Sequence, residues 1–215
     1  EIYSLNERYT CGGIWERDGV TKTDWLAGGH GLLDLSGAIT QSCNPYFYEV
    51  GYQMNLVDPF LLPDYLRRMG LGVPTGLTDI PETAGLIGDP DSYLAKTGLP
   101  WTFSDSVVMA IGQGEVEVTP LQIARMVTAV ANGGTLYKPH LVQQAGLFDD
   151  FSYIAEPEIM GDIGVRQEVL DVVRGGMCEV TTTQAGTAEF VFRNSPLQAI
   201  GVCGKTGTAQ DFARP

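Results

Sequence analysis

The sequence predicts an α+β fold, in which helices pack on a sheet that is completed near or beyond the C-terminal end. Helical periodicity dominates roughly the first 180 residues, whereas the clearest strand pattern comes late, in residues 199–210. The 215 residues are 44% hydrophobic and 18% charged, which is ordinary for a globular protein. The chain is therefore long enough to bury a sizeable core, and disorder is not expected.

The charge balance excludes several kinds of partner. Thirteen basic and 26 acidic residues give a formal net charge of −13. Nucleic acids and anionic membrane surfaces would repel such a chain. No stretch reaches about 18 consecutive apolar residues, so we expect any membrane anchor or export signal to lie outside these residues.

The cysteine and histidine content does not predict a metal site. The cysteines are Cys11, Cys43, Cys178 and Cys203. None of them has the close paired spacing of a zinc site, and the chain adds only His30 and His140. We therefore predict no metal, interpret the cysteines as free thiols, and assign both histidines structural or surface roles.

Two helices are predicted early in the chain. Residues 34–41 have a helical pattern with Asp34 as the N-cap. Asn44 is the predicted N-cap of the next helix, and Pro45 its first residue. Ser42 and Asn44 thus lie in a short connection between buried helices, where polar groups either satisfy helix ends or face a cleft.

The middle of the chain alternates loops and helices. A helix is predicted from about Pro59 to Met69 with Asp58 as its N-cap, and the segment 72–90 reads as an ordered loop. Lys96-Thr97-Gly98 is predicted to be a turn, because no apolar strand leads into it.

The clearest helix begins at Thr119-Pro120, after a short helical stretch over 104–111. Thr119 is the predicted cap, and Asn132-Gly133-Gly134 ends the helix. Its predicted buried stripe is Ile123, Val127 and Val130.

The next segments are a predicted strand, a loop and a helix. The strand covers Tyr137 to Val142, the acidic loop covers 143–164, and the helix covers 165–180 despite Gly175-Gly176. The segment 190–196 is interpreted as a connection.

The C-terminal stretch carries the strongest chemical pattern. Apolar residues lead into Lys205-Thr206-Gly207-Thr208, which predicts a buried strand leaving the core. A strand glycine permits close backbone approach, so an extended acyl substrate could lie there with Lys205 beside it, two hydroxyls for its carboxylate and the Thr208 N–H for its carbonyl oxygen. The alternative interpretation is a tight bend at the end of a core strand.

Four motifs in order resemble the transpeptidase domain of class B penicillin-binding proteins. They are Ser42-Cys43-Asn44, Ile111-Gly112-Gln113-Gly114, Thr119-Pro120-Leu121-Gln122 and Lys205-Thr206-Gly207-Thr208-Ala209-Gln210. The resemblance implies a helical subdomain packed on an antiparallel sheet. It also implies that a serine nucleophile attacks a D-alanyl-D-alanine stem peptide and passes the acyl group to an amine, without a cofactor.

The resemblance implies roles for six residues. Ser42 and Lys205 look like the pair that moves protons on the leaving-group side, and Asn44 orients the substrate amide. Thr206, Gly207 and Thr208 look like the binding site for the substrate carboxylate and carbonyl oxygen. The implied partners are the stem peptide, β-lactams and other cell-wall synthesis proteins. The implied location is the extracytoplasmic face of a bacterial membrane, with an anchor outside this chain.

The nucleophile motif of that family does not occur in the sequence, since no serine is followed three residues later by lysine. We therefore expect 1–215 to be a partial transpeptidase domain, lacking an upstream nucleophile segment and downstream strands, and to be inactive alone. Two alternatives remain within the fold: a non-catalytic scaffold for cell-wall assembly, and a β-lactamase or β-lactam sensor. A phosphate-binding loop at Ala199-x-x-x-x-Gly204-Lys205-Thr206 is disfavoured, because too few residues follow to form the helix it needs.

Overall fold

The computed structural model describes residues 4–148 and 150–208, which fall into two compact units. Unit 1 is drawn from residues 1–62, 90–114 and 166–215, and unit 2 from residues 63–89 and 115–165. All sheets among the described residues are two-stranded and antiparallel, and they are mixed with helices. The predicted α+β class with antiparallel strands is therefore confirmed.

The elements follow one another along the chain. In order they are β1 (Tyr9–Cys11), β2 (Ile14–Arg17), β3 (Val20–Thr23), β4 (Gly31–Leu33), α1 (Leu35–Thr40), α2 (Asn44–Val57), α3 (Leu61–Arg68), β5 (Leu86–Ile87), α4 (Pro90–Thr97), α5 (Phe103–Met109), β6 (Val116–Glu117), α6 (Pro120–Asn132), β7 (Thr135–Tyr137), β8 (Gln144–Leu147), β9 (Asp150–Ile154), β10 (Ile159–Asp162), α7 (Gln167–Thr182), α8 (Glu189–Phe192) and α9 (Pro196–Ile200).

The N-terminal part of unit 1 is a pair of hairpin-like sheets that cross closely. β1 pairs with β4 in the register Cys11 to Gly31, and β2 pairs with β3. Gly13 and Gly29 both have positive φ, and a Cβ on either would lie within 2.5 Å of backbone atoms of the other segment. Only glycine allows this approach.

The two predicted helices at 34–57 are present, with one correction at their junction. Asp34 is the N-cap of α1, and its Oδ1 accepts a hydrogen bond from the Gly37 N–H at 3.0 Å, as predicted. Asn44 is not the N-cap of α2. Cys43 occupies that position and Asn44 is the first helical residue. The side chain of Asn44 therefore does not have the capping role that the sequence predicted.

The core of unit 1 is built on α2. One cluster joins β1, α1 and α2, and its buried members are Cys11, Leu33, Ala38, Cys43 and Tyr46. A second cluster joins Trp15, Tyr48 and Val107. Gly51 of α2 allows α5 to approach closely, because a Cβ there would lie 2.7 Å from the Ala110 Cβ.

The predictions for residues 58–98 need three corrections. Asp58 caps the turn before α3 by accepting from the Phe60 N–H at 2.9 Å, and α3 itself begins only at Leu61. The predicted loop 72–90 contains β5, which pairs with β6. Lys96 and Thr97 end helix α4 rather than forming an isolated turn.

Helix α6 of unit 2 has the predicted ends but a different buried face. Thr119 and Gln122 form a capping box, and Gly133 ends the helix in the left-handed conformation. Ile123 and Val127, predicted to be buried, are 40% and 38% exposed. Gln122 is buried instead, and its side-chain N–H groups donate to the carbonyls of Val73 and Ala84.

The rest of unit 2 contains more strands than the sequence predicts. β7 ends at Tyr137, where the predicted strand begins. The predicted loop 143–164 contains β8, β9 and β10; β8 pairs with β9, and β10 pairs with β7. Short strands of this kind depend on their cross-strand partners, which a pattern along one segment does not reveal.

The C-terminal part of unit 1 follows the prediction up to α7. The helix predicted over 165–180 is α7, and the connection predicted over 190–196 includes α8. The strand predicted over 199–210 is not formed in its described part, and residues 209 and 210 lie outside the described residues. Residues 196–200 form α9, Gly201 ends it with φ +72°, and residues 202–208 have no strand hydrogen bonds within the part of the chain that the structure describes. No helix in the described ranges has the length and apolar content needed to cross a bilayer.

Candidate active site

Ser42 lies in the turn between α1 and α2, with φ +55°. A positive φ is uncommon for a residue with a side chain and marks backbone strain that the surroundings must offset. The indole of Trp25 supplies part of this support, because its Nε1–H lies 3.1 Å from the Ser42 carbonyl oxygen and 3.2 Å from that of Gln41. The Ser42 hydroxyl is therefore presented from a fixed turn.

Lys205 is positioned by contacts between its segment and α7. The Gly204 N–H donates to the Met177 carbonyl at 3.0 Å, and the Thr181 hydroxyl donates to the Val202 carbonyl. A disulfide joins Cys178 to Cys203. The prediction of free thiols was wrong for these two cysteines, because a separation of 25 residues in sequence gives no sign of their pairing.

Helix α7 also packs against α1, the helix that leads into Ser42. The Thr40 hydroxyl of α1 lies 2.8 Å from Glu179 Oε2 and 3.2 Å from the Gly176 carbonyl. A Cβ at Gly176 would lie 2.9 Å from the Ser36 carbonyl oxygen, so glycine is needed for the close approach. One helix thus holds both segments of the site.

The side chains of Ser42 and Lys205 meet. Lys205 Nζ donates to Ser42 Oγ at 2.7 Å and to the carbonyl oxygen of Thr206 at 3.0 Å. Although the lysine retains access to solvent, surrounding protein atoms desolvate its ammonium group and lower the pKa of Lys205. A hydroxyl that accepts from an ammonium group of lowered pKa can receive one proton while it gives up another.

The other predicted site residues lie nearby but are not all joined to this pair. The Thr206 hydroxyl lies 2.7 Å from that of Thr187. Thr206 is exposed and Thr187 is half-buried. Within the described residues, neither Asn44 nor Thr208 hydrogen-bonds to Ser42 or Lys205. Gly207 and Thr208 are exposed. Ala209 and Gln210, the end of the predicted motif, lie outside the described residues.

Sequence reasoning missed two residues of this site. Thr187 adds a hydroxyl beside Thr206, and Trp25 holds the Ser42 turn. The sequence does not identify either contact, because each of these two residues acts on a segment distant in the chain.

A second cluster in unit 1 brings together four side chains that can bind metal. They are Cys11, Asp24, His30 and Cys43, and their ligand atoms all lie within 4.8 Å of one another. The sequence spacing gave no sign of this cluster, because its members come together only in the folded chain. The chain crossing at Gly13 and Gly29 places the first three side chains together, and the start of α2 supplies the fourth.

The chemistry of this cluster fits a divalent metal. Two sulfur atoms, one imidazole nitrogen and one carboxylate oxygen form a four-donor set that suits tetrahedral Zn²⁺. The side chains of His30 and Asp24 are 2% and 0% exposed, and their Nδ1 and Oδ2 atoms lie 3.0 Å apart. Burial raises the pKa of the Cys43 thiol, and its hydrogen bond to Cys11 adds to this effect.

Comparison with known proteins gives one family and several relatives. The family model described as the penicillin binding protein transpeptidase domain matches residues 1–215. The chain is similar to the peptidoglycan D,D-transpeptidase MrdA of Haemophilus influenzae, with 32% identity over 206 residues, which cover 94% of this chain and 30% of that protein. The chain therefore spans less than a third of the length of this relative.

Solved structures show similar folds. A complex of penicillin-binding protein PBP2 with MreC from Helicobacter pylori is 28% identical with a TM-score of 0.76, over 90% of this chain and 34% of that one. A peptidoglycan synthase complex that coordinates polymerization and crosslinking contains a chain that is 29% identical with a TM-score of 0.81, over 99% of this chain and 34% of that one.

Proposed function

The chain belongs to the penicillin-binding protein transpeptidase domain family, and on that premise we propose that it forms part of a peptidoglycan D,D-transpeptidase that cross-links bacterial cell walls through a serine acyl-enzyme. The hydrogen bond of 2.7 Å between Lys205 Nζ and Ser42 Oγ is the observation that carries this proposal. It unites the two motifs, distant in the chain, that handle protons in such a reaction.

Acyl transfer to serine requires a proton on the departing amine. In the proposed mechanism the Ser42 hydroxyl gives its proton to the amine of the leaving D-alanine. Lys205 replaces that proton through the hydrogen bond that it already donates to Ser42 Oγ. The lowered pKa of Lys205 favours this transfer, because a less basic ammonium group is a better acid.

The remaining residues bind the substrate in this proposal. The hydroxyls of Thr206 and Thr208 and the charge of Lys205 receive the terminal carboxylate, and Gly207 permits the close approach. The Thr208 N–H stabilises the developing oxyanion, and a donor of this kind contributes roughly 3 kcal/mol. Asn44 orients the substrate amide, and its position at the start of α2 rather than at a cap leaves its side chain available.

The serine nucleophile is assigned to a part of the protein outside 1–215, because no Ser-x-x-Lys occurs in these residues. We therefore also propose that 1–215 is a partial transpeptidase domain.

The proposed protein acts at the extracytoplasmic face of a membrane, with an anchor outside this chain. The disulfide between Cys178 and Cys203 supports this location, since disulfides persist in oxidising compartments. The complex of the H. pylori relative with MreC supports a partner among cell-wall proteins.

The test is labelling by a fluorescent penicillin. The complete gene product should form a stable covalent adduct, and the 215-residue chain alone should form none. An adduct on the isolated chain, identified by mass spectrometry, would overturn the assignment of the nucleophile.

Two alternatives make different predictions in the same experiment. A non-catalytic scaffold would leave the complete gene product unlabelled. A β-lactamase would release hydrolysed penicillin continuously, whereas a transpeptidase holds the adduct and transfers acyl groups from a D-alanyl-D-alanine peptide. The joint presence of Ser42, Asn44 and Lys205 favours the enzyme, because a scaffold has no use for the Lys205 to Ser42 contact.

A further inference from the structure

Thr187, which has no role in the reaction proposed above, contacts both segments of the candidate active site. Its hydroxyl lies 2.7 Å from the Thr206 hydroxyl, across 19 residues of sequence. Its backbone N–H donates to the carbonyl oxygen of Thr40 at 3.3 Å. Thr40 is the last residue of α1 and comes just before the Ser42 turn. Thr187 therefore joins the segment that carries Lys205 to the segment that carries Ser42.

The turn that follows α7 fixes the position of Thr187. The Ala188 N–H donates to the Val180 carbonyl at 3.0 Å. A Cβ at Gly186 would lie 2.3 Å from the Glu179 carbonyl oxygen, so the turn packs directly against the end of α7. Thr187 is half-buried in this turn. Its hydroxyl is therefore presented to Thr206 from a closely packed backbone.

Thr206 is held at its backbone by Lys205 and at its side chain by Thr187. Lys205 Nζ donates to the Thr206 carbonyl oxygen at 3.0 Å. Without a substrate, either hydroxyl of the threonine pair can donate to the other. A hydroxyl has only one proton to donate, and a carboxylate can only accept. When Thr206 donates to a substrate carboxylate, Thr187 must therefore donate to Thr206.

We propose that Thr187 is a positioning residue for recognition of the terminal carboxylate of the substrate. The inference rests on the proposed function, in which the Thr206 hydroxyl receives that carboxylate. The Thr187 hydroxyl donates to Thr206 Oγ1 and directs the single Thr206 proton towards the carboxylate. In such a chain each hydrogen bond polarises and strengthens the next. Thr187 acts through Thr206 rather than on the reacting atoms.

This arrangement favours a substrate that ends in a carboxylate over one that ends in a neutral amide. A carboxamide has both N–H donors and a carbonyl acceptor, so it can pair with Thr206 whichever way the threonine pair is oriented. The orientation that Thr187 imposes therefore matters less for an amide. Loss of the Thr187 hydroxyl should weaken the carboxylate substrate selectively, whereas loss of a purely structural support would weaken both substrates alike.

The test follows thiol release from two thioester substrates by the complete gene product. Both carry the same acyl-D-alanyl group, and the leaving thiol is thioglycolate in one and thioglycolamide in the other. For Thr187→Val we expect kcat/KM for the thioglycolate substrate to fall by about 3- to 10-fold, the usual effect of losing one hydrogen bond. The fall should come mainly from a higher KM. The thioglycolamide substrate should change by less than about twofold, because the amide pairs with either orientation.

Further variants separate the effect of the hydroxyl from that of the turn. Thr187→Ser keeps the hydroxyl and should restore most of the activity with the thioglycolate substrate. Thr182→Val removes an exposed hydroxyl that donates to the Cys178 carbonyl of its own helix at 2.9 Å, and it should behave as the wild type does. Circular dichroism identifies a variant that fails to fold, and Thr187→Ala replaces Thr187→Val in that case.

The inference alone is overturned by wild-type kinetics in Thr187→Val, by equal losses with both thioesters, by a loss confined to kcat, or by a Thr187→Ser variant as slow as Thr187→Val. In each of these cases the wild-type protein still transfers acyl groups, so the proposed function stands. A wild-type protein that releases neither thiol and forms no penicillin adduct would contradict the proposed function, and this inference with it.

Discussion

Lys205 Nζ donates a hydrogen bond of 2.7 Å to Ser42 Oγ, although 163 residues separate the two in sequence. Helix α7 holds both partners: it packs on the helix before Ser42, and it carries the disulfide and the backbone contact that hold the segment of Lys205.

Removal of the Lys205 ammonium should disable the proposed proton transfer. In the complete gene product we expect Lys205→Ala to slow penicillin acylation by about 10²- to 10⁴-fold, the usual contribution of a positioned acid or base. The rate is measured by fluorescent penicillin labelling. Lys96→Ala, in the other Lys-Thr-Gly triplet, should label at the wild-type rate. A wild-type rate in Lys205→Ala would contradict the role given to this lysine.

Substitutions at Ser42 should separate stability from activity. Ser42→Gly relieves the strain of φ +55°, whereas Ser42→Ala keeps it. We expect the glycine variant to be more stable than the alanine variant by about 1 kcal/mol in urea unfolding. Both lack the hydroxyl and should show equally slow penicillin labelling. Labelling of either variant at the wild-type rate would argue against proton transfer through Ser42.

Alanine substitutions at the two adjacent glycines of α7 should have opposite effects on stability. Gly176→Ala places a methyl group 2.9 Å from the Ser36 carbonyl oxygen and 3.1 Å from the Ile39 Cβ, so we expect a loss of about 1–3 kcal/mol in the free energy of unfolding. Gly175→Ala meets nothing within 4 Å and should raise stability by about 0.5–1 kcal/mol. Chemical denaturation measures both. Equal effects would mean that α1 and α7 do not pack as described.

Loss of either cysteine of the Cys178 to Cys203 disulfide should reduce stability as much as loss of both. Because the cysteines are 25 positions apart in sequence, loss of the disulfide should cost about 3 kcal/mol of stability. The variants Cys178→Ala, Cys203→Ala and the double variant should therefore unfold at the same urea concentration under oxidising conditions. Additive losses in the double variant would show that the two cysteines act separately.

The pH dependence of Lys205 follows from its lowered pKa. Between that pKa and the ordinary value of 10.5, the unfolded chain binds more protons at this site than the folded protein does, so the contribution of Lys205 to stability rises with pH. That contribution is complete above the unfolded value and is lost as the pH falls through the folded pKa. Pulsed acetylation followed by mass spectrometry should modify Lys205 at a lower pH in the folded protein than in urea. Modification at the same pH would contradict the desolvation of this group.

Features that depend on neighbouring residues in sequence were predictable. Asp34 and Thr119 cap their helices as expected, because the bonds they accept lie within one turn. The closeness of Ser42 and Lys205 was predictable only from the resemblance of the ordered motifs to a family. No local pattern places a lysine beside a serine so far away in the chain.

Features that depend on distant partners were not predictable. The strands β8, β9 and β10 form by pairing with other strands, whereas residues 202–208 have no partner strand in the part of the chain that the structure describes. Both cysteine pairs join segments at least 25 residues apart. Gln122 is buried in α6 because loop carbonyls accept from it, which a hydrophobic pattern cannot show.

Because the chain is made from its N-terminal end, the contact between Ser42 and Lys205 forms late in synthesis. A ribosome adds about 5–20 residues per second, so Lys205 emerges roughly ten to thirty seconds after Ser42. For most of that interval the nascent chain carries α1 without α7, and the side of Ile39 that faces Gly176 in the finished protein has not yet been covered. The hydrogen bond between Ser42 and Lys205 can form only after residue 205 has been made.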